Sequence, residues 1–365
     1  MRNYSKFPSQ DIQDELETIA KSLLTPGKGI LASDESVASI GKHFAKINVE
    51  NNEENRLRYR HLLYSADPSI SEYISGVILF HDTVYQKSEC VPLIQLLKDR
   101  NIIPGIKVDK GLVPLFGTDG EFSTQGLDKL AERCEEYKQY GLHFAKWRCA
   151  LKIGATTPSQ QAIADVANIL ARYAVVCQAS RLVPIVEPEV LADGKHDLCR
   201  AQKVLEVVNA AVFEALNRHG VFLEGCLLKT NMATPGRDFP RKATPEQVAC
   251  ATVTALLRTV PPALAGIVFL SGGQSEEEAT VNLNAINKVQ GRTPWTMTFS
   301  YGRALQASVL DAWKGNDNNI ACAQQILLKR AMANGLASVG QYQSDSTIID
   351  GQMSGKALFV EDHNY

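Results

Sequence analysis

Val221-Phe222-Leu223-Glu224-Gly225-Cys226-Leu227-Leu228-Lys229-Thr230-Asn231-Met232 is an apolar run with polar residues just past its end. A run this short reads as a buried strand. Lys229 stands where that strand should emerge, flanked by Leu227, Leu228 and Met232. Burying an amine disfavours its charged form, and a neutral amine can attack a ketone or aldehyde to give a Schiff base. One lysine alone reads more simply as a strand-end side chain reaching for water. Its neighbours in the sequence change that reading.

Outward from this strand, short apolar runs recur over 29–33, 76–80, 102–106, 144–148, 182–186, 266–270 and 295–299, with helical patterning between them. Strict strand-then-helix alternation implies a parallel sheet, because parallel neighbours need a crossover. Eight such units close into an α/β fold of the (β/α)8 TIM-barrel type. A doubly wound open sheet is the runner-up, but the Gly-x-Gly-x-x-Gly turn it usually carries after its first strand is not present. The first helix is expected over 11–24, and capping patterns at Thr157-Pro158-Ser159-Gln160, Thr244-Pro245-Glu246-Gln247 and Ser275 to Glu278 open three more. The last helix is expected over 319–334. From Ser338 onward small and polar residues follow without a period, as in a mobile tail. The expected organisation is one barrel domain over 1–340 and a tail over 341–365, with no internal repeat.

The chain has 365 residues, 45% apolar and 21% charged, with a net charge of −2. That balance steers it towards neither nucleic acid nor an anionic membrane. Its apolar runs look too short to span a bilayer, and its first ten residues lack the apolar core of a signal peptide, so the cytoplasm is the expected compartment. The eight cysteines form no Cys-x-x-Cys pair and the seven histidines show no ligand spacing. Reduced thiols, no catalytic metal and no cofactor are therefore expected.

In a (β/α)8 barrel the chemistry sits at the C-terminal ends of the strands. The residues there are Asp34, Glu35, Ser36, Asp82, Lys107, Asp109, Lys146, Arg148, Glu187, Glu189, Lys229, Ser271, Gly272 and Arg303. A ring mixing lysines with carboxylates suits Schiff-base chemistry: crowded ammonium groups favour a neutral nucleophile, and Glu187 and Asp34 can move protons. These residue types alone leave open which lysine attacks. Ser271-Gly272-Gly273 and Gly302-Arg303 follow strands seven and eight, where this fold binds phosphate. Arg148, Lys107 and Lys42 offer a second cationic cluster, so the substrate is expected to carry phosphate at both ends. Glu276-Glu277-Glu278 reads as acidic residues favoured by a helix dipole.

At these residues the chain closely resembles class I fructose-bisphosphate aldolase, the Schiff-base type of eukaryotic cytoplasm. Gly27-Lys28-Gly29-Ile30-Leu31-Ala32-Ser33-Asp34-Glu35-Ser36, Phe144-Ala145-Lys146-Trp147-Arg148, Leu227-Leu228-Lys229, Phe269-Leu270-Ser271-Gly272-Gly273 and Phe299-Ser300-Tyr301-Gly302-Arg303 carry the likeness. The resemblance implies a homotetramer that reversibly splits fructose 1,6-bisphosphate into dihydroxyacetone phosphate and glyceraldehyde 3-phosphate. By it, Lys229 matches the Schiff-base lysine and Glu187 the acid/base of carbinolamine formation and dehydration. Asp34, with Lys146 beside it, matches the carboxylate acting on the hydroxyl next to the cleaved bond. Ser271, Gly272 and Arg303 match binders of the ketose-side phosphate, while Lys107, Arg148 and Ser39 match contacts at the other end. Ser36, Lys42, His43 and Glu189 complete the expected substrate-binding set, and Tyr365 matches the tail tyrosine that handles the enamine proton. The chain departs from the family at Lys42-His43, where Lys-Arg is usual, and at Thr230, where proline is usual. A barrel that binds phosphosugars or protein partners without turnover is the alternative.

Overall fold

The structure is a computed structural model that describes residues 7–289, 291 and 293–343. Its parallel strands β1 (Gly29–Ser33), β2 (Ile74–Leu79), β3 (Ile103–Lys107), β4 (Phe144–Lys152), β5 (Val183–Leu191), β6 (Leu227–Thr230), β7 (Gly266–Phe269) and β8 (Thr296–Tyr301) close into a barrel, each bonded to the next and β8 to β1. Side chains inside and helices outside cover both faces, which is why these segments are apolar almost without a break. The helices are α1 (Gln10–Leu23), α2 (Val37–Lys46), α3 (Glu53–Tyr64), α4 (His81–Tyr85), α5 (Leu93–Lys98), α6 (Leu130–Gln139), α7 (Gln160–Ala179), α8 (Leu198–Arg218), α9 (Pro245–Thr259), α10 (Glu276–Asn287), α11 (Arg303–Trp313) and α12 (Ile320–Ser338).

The N-terminal mouth of the barrel is plugged. Leu16, Ala20, Leu23 and Leu24 of the α1 segment pack on Ile30, Ile78, Val183, Ile185, Leu227 and Val268. Two glycines in the first half of their strands make room for this plug. A Cβ on Gly266 would lie 2.5 Å from Leu24, and one on Gly76 would lie 2.7 Å from Leu23. With the bottom filled by apolar side chains, the polar inward-facing residues are left at the C-terminal end.

Several expectations shift. The strand holding Lys229 is shorter than its apolar run, because Leu223–Gly225 forms a single 3-10 turn first. Lys229 therefore lies within β6 and is buried, not emerging to water. β4 and β5 continue past their first charged residues to Lys152 and Leu191, since alternate side chains still face the barrel axis. The cap of α7 is Ser159 rather than Thr157, accepting from the Ala162 N–H. Helix α7 is also long and apolar enough to cross a membrane, contrary to the reading of the apolar runs; here it packs against α8 and β5 with its apolar face buried. Ser338 ends α12 instead of opening the tail, and beyond it Tyr342 is buried, its hydroxyl on Glu277. Two small hairpins, Lys87–Ser88 with Val91–Pro92 and Leu112–Pro114 with Phe122–Thr124, lie outside the barrel.

Candidate active site

Strand register brings the charged residues together. Lys107 of β3 pairs with Lys146 of β4, and Arg148 of β4 pairs with Glu187 of β5. Residues two apart on a strand share a face, so Lys146 and Arg148, and likewise Glu187 and Glu189, line one side. Lys146 Nζ lies 2.7 Å from Asp34 Oδ2 and 3.3 Å from Glu187 Oε2. Lys229 Nζ lies 3.2 Å from the other oxygen, Glu187 Oε1. Lys107 Nζ donates to Asp109 Oδ1 at 2.6 Å, and Arg148 Nε donates to Glu189 Oε2. Lys146, Lys229, Glu187, Glu189 and Asp109 are all buried, with Lys229 only 4% exposed.

The three lysines are not equivalent. Burial opposes the charge on Lys146, but Asp34, Glu187 and Asp109 outweigh it and hold the ammonium far above its ordinary range. Burial would likewise raise the Asp34 carboxyl, yet Lys146, Lys229 and Lys107 pull it down to about 2. Lys107 runs the other way: burial and Lys146 lower it despite Asp109. Among the described residues Lys229 has one carboxylate within ion-pair distance and Lys146 has two, while Asp34 and Glu189 feel the Lys229 charge from farther off. Glu187 Oε2 is buried and makes no hydrogen bond among the described residues, although Lys146 Nζ lies 3.3 Å away.

Past β7 the backbone turns for close approach. Gly272 and Gly273 have φ of 50° and 87°, in the left-handed region glycine favours. Arg303 opens α11, and its charge couples to Glu189, Arg237, Arg148 and Asp193. Burial pushes its guanidinium down. Ser36 caps α2, accepting from the Ser39 N–H at 3.3 Å and donating to Ser39 Oγ at 3.1 Å. Lys42 is exposed on α2, while His43 is half-buried. Burial moves His43 below its ordinary range; Glu35 resists, and Lys46, Arg303 and Arg60 add to the lowering.

Among the strand-end charges, Asp82 falls on α4, where His81 bonds Tyr137. Tyr365 lies outside the described residues, as does 344–364 of the expected tail. Sequence reasoning gave Asp109 no role, yet its carboxylate also accepts from the N–H groups of Gly111 and Arg148, both at 3.2 Å. It missed Arg237 too. That residue's loop is zipped to the one after β5 through Gly236 N–H to His196 O and Arg237 N–H to Ala192 O, both 2.8 Å. Glu276, with Glu277 and Glu278, does stand in the first turn of α10 where a helix dipole favours acid, but it does more: it is buried, accepts from Ser308 N–H and Oγ, and pairs with Arg330 at 3.2 Å.

A closed parallel barrel with buried lysines and carboxylates at its C-terminal mouth is the framework of a lyase for carbonyl compounds. A family profile described as "Fructose-bisphosphate aldolase class-I" matches residues 15–365. The chain is 60% identical over 366 residues to a fructose-bisphosphate aldolase of Drosophila melanogaster, covering 100% of both. It is 56% identical over 358 residues to fructose-bisphosphate aldolase C of Homo sapiens, covering 98% of each. A solved fructose-bisphosphate aldolase of Plasmodium falciparum, in complex with TRAP and a small-molecule inhibitor, matches with a TM-score of 0.90 at 54% identity. That match covers 92% of this chain and 97% of the other. The chain belongs to the class-I fructose-bisphosphate aldolase family. It is a fructose-bisphosphate aldolase, a metal-independent lyase.

Proposed function

We propose that the reaction, reversible cleavage of fructose 1,6-bisphosphate to dihydroxyacetone phosphate and glyceraldehyde 3-phosphate, runs through a Schiff base on Lys229. The supporting observation is the unequal sharing of Glu187. Lys146 is locked as an ammonium by Asp34 and Glu187, while among the described residues Lys229 has a single carboxylate within ion-pair distance, Glu187 at 3.2 Å. In this reading Lys229 attacks the ketose carbonyl. Glu187 passes the protons of carbinolamine formation and loss of water. Asp34, kept ionised, takes the proton of the hydroxyl beside the cleaved bond. That hydroxyl becomes the aldehyde of the leaving triose, and the bonding electrons pass into the iminium to give an enamine. Lys146 balances the charge that develops. Tyr365 would return a proton to the enamine carbon.

Ser271, Gly272 and Arg303 hold the ketose-side phosphate, and Lys107, Arg148 and Ser39, with Ser36, Lys42 and His43, take the other end. Glu189 orients Arg148. The relatives' likeness supports a homotetramer acting in the cytoplasm, which sedimentation and cell fractionation test. Borohydride with dihydroxyacetone phosphate should fix a triose-phosphate mass on the peptide holding Lys229. Label on Lys146 or Lys107 instead would overturn the nucleophile assignment.

A further inference from the structure

β1 and β8 meet in register at Ile30↔Ser300 and Leu31↔Tyr301. Asp34 lies three residues beyond that last pair on one strand and Arg303 two beyond it on the other. The ladder therefore does not set their spacing. A side chain takes its place: Gln306, on the first turn of α11 and only 2% exposed. Its Nε2 donates to Ala32 O at 2.8 Å and Glu35 Oε1 at 3.1 Å, with Gly302 O at 3.3 Å. Its Oε1 accepts from Tyr59 Oη at 3.0 Å. Glu35 is held from behind by Arg60, whose Nη2 lies 2.7 Å from Glu35 Oε2 and whose side chain is buried. Every strong valence of the Gln306 amide is thus spent on joining the Asp34 loop to the helix that begins with Arg303.

We propose that Gln306, seated by Tyr59 and by the Glu35–Arg60 pair, is a positioning residue for carbon–carbon cleavage: it fixes Asp34 at a set distance from Arg303. This rests on the reading that Asp34 takes the hydroxyl proton while Arg303 holds the ketose-side phosphate. A proton acceptor displaced by about 1 Å can cost orders of magnitude in rate. Schiff-base formation on Lys229 does not use Asp34, so it separates a positioning role from a general weakening of the barrel.

The test compares Gln306→Met and Tyr59→Phe with the parent protein. It measures kcat and KM for fructose 1,6-bisphosphate, and borohydride trapping of dihydroxyacetone phosphate at Lys229. Gln306→Met should lower kcat about tenfold, and Tyr59→Phe should lower it a few-fold. KM and trapping should stay within about twofold of the parent in both. Parallel loss of cleavage and trapping, or unchanged kcat in a folded variant, overturns the proposal. If Gln306→Met does not fold, Tyr59→Phe decides alone, since it removes one hydroxyl and keeps the ring. Failure of the parent to trap at Lys229 would overturn the Schiff-base reading, and this inference with it.

Discussion

Unlike an arginine, a histidine at position 43 can lose its charge near neutral pH. Unperturbed imidazole titrates near ~6.5, and here burial sets it lower before any ligand binds, with Glu35 opposing and Lys46, Arg303 and Arg60 assisting. The protonated form exists below that pKa, and a phosphate dianion favours it. Any help from His43 is therefore greatest at acid pH and fades as pH rises from below 6.5 to the higher pKa of the liganded state. The substrate's phosphates gain charge near pH ~6 and work against this trend. The informative quantity is the difference between parent and His43→Arg. The variant should show a KM about tenfold lower at pH 8, worth about 1.4 kcal/mol, with little change in kcat and a gap that narrows towards pH 6. Parallel KM profiles would show that His43 does not reach the phosphate. At this scale the sequence was informative about which residues matter, because a charge ending an apolar run has few physical explanations. It named Asp109 only as a strand-end charge and assigned no role to Arg60 or Gln306, since these roles depend on distances between strands and helices far apart in the chain.

Among the helices, α10 joins a local device to a long-range one. Ser275 and Glu278 form a capping box, and Thr244 and Gln247 form another on α9, both readable from spacing because cap and partner are three residues apart. Glu276 sits one residue after the cap yet answers to Ser308 on α11 and Arg330 on α12. Its neighbour in sequence could not reveal that. The two should differ in energy as measured by urea unfolding. Ser275→Ala should cost about 1 kcal/mol, whereas Glu276→Ala removes the nearer carboxylate of the buried Arg330, leaving Glu277 at 3.6 Å, and should cost about 3 kcal/mol. A cost for Glu276→Ala no greater than that of the cap would leave it with the helix-dipole role alone. Strand ends were harder to read for a related reason. Arg148 and Glu187 look like terminators, but in a barrel wall a charged side chain facing the axis leaves the ladder intact.

Taken as a molecule, the barrel was legible from alternation alone, while the α1 plug was not, because nothing local says which mouth an amphipathic helix will close. The wall itself is uneven. β4 and β5 stay in register from Phe144↔Val183 to Lys152↔Leu191, but β8 meets β1 over Ile30↔Ser300 and Leu31↔Tyr301. That short seam joins the first barrel strand to the last, across the greatest separation in the chain. Closing so large a loop is entropically the hardest step, so the seam should be the last part of the ring to form during folding and the first to part afterwards. Native-state hydrogen exchange should then show the ladder amides of β1 and β8 opening at lower free energy than those in the middle of β4 and β5, which should exchange only with global unfolding. Seam amides as slow as the slowest in the protein would mean that closure comes early. If the order holds, the site is built across the joint where the polypeptide ring is made, and catalytic competence arrives with the final act of folding.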